Sequence, residues 1–225
     1  MDAIAAEGRP NLLQAICIPT AERRPSLKEL ALTVALVSPV FGLAMGCFDL
    51  TGNRWLYAVF SAVKMPVMVA TTWAVCLPGF IALCSVLGLR SDLRECLRAI
   101  ACGQAAVAFG LASLAPVLLF AYASGVSHRW ALLLSGGMFA VATLMGQVVM
   151  LRRWRPLIAR GDGAAGRHRL LLLYWLAAYV FVGIQTGWML RPFVGSPGIE
   201  PAFLRAEPFS NAYVVVTELI TGTRR

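Results

Sequence analysis

The chain has 225 residues, of which 59% are apolar and only 14% charged, and its mean hydropathy is +0.72. Soluble domains carry about a quarter charged residues, so this excess of apolar surface calls for lipid as the solvent. It excludes a disordered chain, a collagen-like fibre, a secreted disulfide scaffold and an ordinary cytosolic enzyme. Twenty basic residues, eighteen of them Arg, outnumber eleven acids for a net charge of +9; they gather in short connections between apolar runs, which speaks for membrane loops and against a nucleic-acid-binding face.

Residues 1–29 are polar, carry Arg9, Arg23, Arg24 and Lys28, and lack the apolar core and small-residue cleavage site of a signal peptide. They read as a cytoplasmic segment. The fold expected of residues 30–190 is all-α, a polytopic transmembrane bundle of five spans, each near the roughly 20 residues that cross a hydrocarbon core. The first span is Leu30 to Leu50, opened by Ser26-Leu27-Lys28-Glu29 as a capping box and kinked near Pro39. The next apolar run, Trp55 to Leu89, exceeds one bilayer crossing. Counting back from Arg90 predicts an interfacial segment, Arg54 to Val63, followed by a second span from Met65 to Leu89 that Pro66 helps to open.

The third span is Ala99 to Ala123, the fourth Trp130 to Leu151 and the fifth Leu170 to Leu190. Residues 191–225 form a tail broken by Pro197, Gly198, Pro201 and Pro208, whose last apolar piece, Tyr213 to Ile220, is read as a short interfacial helix. Thirteen basic residues then fall on the side of the N-terminus and seven on the other. The positive-inside rule gives an N-in, C-out orientation.

Six cysteines without a CxxC pair read as small buried hydrophobes. The two histidines, His128 and His168, fall in loops on opposite sides of the membrane, and the chain has no HExxH, GxSxG or paired intramembrane aspartates. Residues 161–166 (Gly-Asp-Gly-Ala-Ala-Gly) lack the lysine of a phosphate-binding loop and read as a turn. Neither an enzyme nor a bound cofactor or metal is expected.

Lys64 is the most conspicuous single residue. It either contacts a substrate or ion, paired with Asp49, or snorkels to the headgroups beside Pro66; the count of residues per span favours the interface. Gln104, Gln147 and Gln185 sit within the third, fourth and fifth spans. They could line a polar path, but tying helices together is their commoner use. Two GxxxG patterns, Gly42/Gly46 and Gly183/Gly187, lie on the first and fifth spans, which run in the same direction. They are expected to pack these two spans together at the same depth. Arg191, before Pro192, is either a stop signal or a partner for an acidic group.

The segment Leu87-Gly88-Leu89-Arg90-Ser91-Asp92-Leu93-Arg94-Glu95-Cys96-Leu97-Arg98-Ala99, followed by Leu114-Ala115-Pro116, resembles the Ypt-interacting-protein (Yip) family in its Leu-Gly turn, short polar segment and span ending at Ala-Pro. Lys64-Met65-Pro66 and the run from Trp188 to Pro197 are similar to a group of bacterial multi-pass proteins. The family's acidic-Leu-Tyr-Gly-Pro element is absent before the first span. The resemblance implies a five-span fold and little chemistry. The expected role is therefore an inner-membrane scaffold or accessory subunit with a membrane-protein partner or a second copy of itself; the alternative is a small transporter or channel using Lys64 and the glutamines.

Overall fold

The computed structural model describes residues 11–18, 24–48, 55–159, 163–191, 193–195 and 202–204, and these are helical or lie in short connections. Among the described residues six α-helices follow in order: α1 (Leu12–Cys17), α2 (Leu27–Gly46), α3 (Trp55–Val86), α4 (Leu93–Ala123), α5 (His128–Ile158) and α6 (Ala165–Met189), with a 3-10 turn at Arg90–Asp92. Among the described residues five helices, α2 to α6, are long and apolar enough to cross a membrane, as expected of a multi-pass protein.

The start of α2 follows its sequence. Ser26 Oγ accepts from the Glu29 amide at 3.1 Å and Glu29 Oε2 accepts from the Ser26 amide at 3.0 Å, so the predicted capping box is formed. At α3 the structure departs from expectation. The predicted interfacial segment and second span are one helix of 32 residues with Pro66 and Pro78 inside it. Each proline removes one backbone donor, but such a helix holds in lipid when its neighbours pack tightly along it. Three other helices also overrun a predicted limit: α4 begins at Leu93, α5 runs to Ile158 and α6 begins at Ala165. Charged residues mark where hydrocarbon ends. They do not end a helix.

The spans form a ring in which α2 touches α3 and α4, α4 touches α5, α3 touches α6, and α5 and α6 meet to close it. One core joins Phe80, Cys84, Cys96, Trp154, Leu171 and Trp175, where α3, α4, α5 and α6 converge. A second joins Phe41, Met65, Leu111, Leu118 and Ala142 toward the other end.

The glycine pairs correct the sequence reading. A Cβ on Gly42 would lie 2.8 Å from the Ala62 Cα and would overlap the Ser61 carbonyl; one on Gly46 would overlap the Ala58 backbone. Gly183 and Gly187 face Thr72 and Met68, 4.0 and 3.7 Å from such a Cβ. Both pairs therefore serve α3, from α2 and from α6, and do not join the first span to the fifth. Sequence depth alone could not show that a third helix stands between them.

Replacing Gly46 by Ala is expected to destabilise the fold by about 1–3 kcal/mol through overpacking. Gly136→Ala, where a Cβ meets nothing within 4 Å, should be neutral or stabilising by up to about 1 kcal/mol. Thermal unfolding of the purified variants in detergent checks the contrast.

Candidate functional site

Lys64 lies nine residues into α3, about 14 Å along its axis from Trp55. Gly46 lies against the Ala58 backbone, six residues before Lys64, which places Lys64 about 9 Å along α3 from the level of Gly46. The side chain is fully buried. It is enclosed by the chain that follows α6: its Nζ stands 5.8 Å from the centre of the Phe193 ring and 5.2 Å from that of Phe203. The expected headgroup snorkeller is thus a cation held against aromatic faces, an attraction of about 2 kcal/mol or more when desolvated.

This enclosure is built by a return of the chain onto α3. Ser61 Oγ donates to the Phe193 carbonyl, Val194 is buried, and Gly195 lies against the Tyr57 ring so closely that a Cβ would stand 3.0 Å from it. Phe60 meets Phe203 edge to face at 5.6 Å. Arg191 folds back over Trp188, its guanidinium carbon 3.0 Å from the ring centre and its Nε donating to the Trp188 carbonyl at 3.2 Å. Asp49, proposed as a partner of Lys64, lies outside the described residues, as does the expected tail helix at 213–220.

The three glutamines do not share one environment. Gln104 is buried and accepts from the Tyr179 hydroxyl at 2.7 Å, joining α4 to α6 across the ring. Gln147 has a buried Oε1 with no hydrogen bond, and Gln185 is half-buried on α6. Lys64 has the C-terminal return as its neighbour and Gln104 has α6, so these two polar groups occupy separate places.

At the opposite end of the bundle is a cluster that sequence reasoning missed. His168 is not in a loop: it sits in the first turn of α6, fully buried. Its Nε2 is 3.1 Å from Asp92 Oδ2 and its Nδ1 is 3.1 Å from the Ala164 carbonyl. Both ring nitrogens face oxygen atoms, so the ring is held from two sides. Trp154 of α5 donates to the His168 carbonyl at 3.3 Å, and Arg167 donates to the Leu87 carbonyl at 2.9 Å. Gly88 permits that approach with its φ of +70°. The signal was present in the sequence, since Asp92 and His168 belong to two connections assigned to the same side of the membrane.

Arg153 forms another unforeseen link. Its guanidinium donates to the carbonyls of Ala15, Ile16 and Ile18, satisfying carbonyl groups that the end of α1 leaves open. Ile16 is buried beside Leu30, Val34, Ala101 and Cys102. The described residues contain no cluster of His, Cys, Asp and Glu that could hold a metal ion. Comparison of the chain with family models, with curated proteins and with solved structures finds no match.

His168→Ala and Asp92→Ala are each expected to cost about 1–3 kcal/mol, because each removes a hydrogen-bond partner from a buried or half-buried group. The double variant should cost less than the sum of the two. Unfolding midpoints in detergent for the four members of that cycle provide the measurement, and strict additivity would show the pair to be uncoupled.

Proposed function

We propose that this chain is a five-span protein of the bacterial inner membrane, N-in and C-out, that acts as a Yip-like scaffold or accessory subunit for another membrane protein or a second copy of itself. The observation that carries this reading is how three of the bundle's polar groups are occupied. Gln104 is taken by Tyr179, His168 by Asp92 and the Ala164 carbonyl, and Lys64 is sealed by Phe193 and Phe203. Close backbone approach does the rest: a Cβ on Gly103 would lie 3.0 Å from the Gly146 carbonyl. A conduit needs polar groups turned toward shared water; a support needs a firm bundle and a surface. The role is a non-catalytic one.

The reading is tested by recovering an affinity-tagged copy from native membranes in mild detergent. A stoichiometric membrane-protein companion, or a stable homo-oligomer, is expected. The transport alternative draws on one observation, the buried Lys64 side chain. If the chain is recovered alone, and proteoliposomes show solute flux that Lys64→Leu abolishes, transport replaces the scaffold.

Orientation is checked separately. A fluorescent reporter fused at Gly163 should be active and alkaline phosphatase there inactive, with the reverse at Arg225. Phosphatase activity at Gly163 reverses the topology.

A further inference from the structure

An apolar groove of about 580 Å³ runs along the outside of the bundle between α2 and α3, with Ala101 of α4 among its lining residues. Its walls are low because Ala31, Ala35, Ala70 and Ala74 are small and exposed. Along α3 the lining extends from Pro66 to Leu77, about 16 Å at 1.5 Å per residue. That is roughly half of a 30 Å hydrocarbon core, the depth of a single leaflet. The groove has the length and polarity of one acyl chain.

One end of the groove carries charge. On α2, Lys28 precedes Ala31 by three positions and Ala35 by seven, so all three lie on one stripe of the helix. On α4, Arg94 and Arg98 precede Ala101 by seven and three positions and share its stripe in the same way. Both stripes therefore pass from cations into the groove lining within about one to two turns. Arg24 stands at the same end, 3.8 Å from Glu95, which Arg98 also meets at 2.6 Å. Glu29 is engaged with the Ser26 amide. Four cations face two carboxylates here, and both carboxylates already have partners.

We propose that this groove is a binding site for one anionic glycerophospholipid, an acyl chain lying along Ala31, Ala35, Ala70 and Ala74 and the phosphate held by Lys28 and Arg94. An apolar slot alone takes any lipid tail; cations on both flanking stripes select an anionic headgroup. The inference rests on the membrane-spanning reading, and it stands whether the chain is a scaffold or a transporter.

Native mass spectrometry of the full chain, offered equal dioleoyl-phosphatidylglycerol and dioleoyl-phosphatidylcholine, tests it. One phosphatidylglycerol should be retained in preference to phosphatidylcholine. Ala35→Phe with Ala70→Phe fills the groove and should lower that retention at least about fivefold, the equivalent of about 1 kcal/mol. Lys28→Gln with Arg94→Gln alters only exposed residues and should leave one lipid bound while abolishing the preference. Equal retention of the two lipids by the unaltered chain overturns the proposal, as does a charge variant that keeps the preference. A filled variant of unchanged helicity that still holds the lipid also overturns it. If filling the groove instead converts a dimer to a monomer, the occupant is a second copy of the chain and the lipid site is discarded.

Discussion

The close approach of α2 to α3 is the constraint on which the rest of this bundle depends. Lipid supplies no hydrophobic drive between helices, so contact has to come from packing that lipid tails cannot match. Gly42 and Gly46 remove the side chains that would hold α2 away, and the backbone from Tyr57 to Ala62 fills the space. With α2 against it, α3 becomes a post for the others. α6 lies along it through Gly183 and Gly187, and the chain after α6 returns to cover Tyr57 and Lys64. A 32-residue helix containing two prolines is stable here because it is gripped on several sides.

The two ends of the bundle solve the same problem with different chemistry. A buried polar or charged group is costly unless its surroundings compensate for desolvation. At Lys64 the compensation includes the faces of Phe193 and Phe203; at His168 it is a carboxylate and a backbone carbonyl. Each arrangement also ties together parts of the chain distant in sequence. The His168 cluster joins the α3–α4 connection to α5 and α6, whereas the aromatic enclosure joins α3 to the segment beyond α6. Lys64 and His168 thus act as fasteners between distant parts of the chain.

How much of this was legible in the sequence depended on whether the signal was local. The number of spans, the capping box at Ser26 and the buried character of Cys76, Cys84, Cys96 and Cys102 all follow from composition and short-range pattern. Helix limits did not, because an Arg at the membrane surface ends the apolar run without disturbing the backbone, as in α5 beyond Leu151. Lys64 was placed at the interface by counting residues per bilayer thickness, a method blind to a covering segment more than a hundred residues later. The partners of the glycine pairs were likewise invisible, since depth along two helices says nothing of what stands between them. The His168–Asp92 pair could have been found by asking which titratable residues share a membrane side.

The grip of Arg153 on α1 sets an order of events during biosynthesis. The carbonyls of Ala15 and Ile16 emerge early, but their donor follows 137 residues after Ile16. At about 5–20 residues per second, the ribosome needs roughly 7 to 27 s to deliver it. By then α2, α3, α4 and most of α5 have been made. The Arg153 bonds to α1 therefore form late, after Ala101 and Cys102 of α4, against which Ile16 also packs, have been made. Closure at the other end is later still, because Phe193 reaches Ser61 only after α6 is complete. Both fasteners that bring the flanking segments home are thus formed after their receiving helices, so neither segment has to be positioned before the spans it seals.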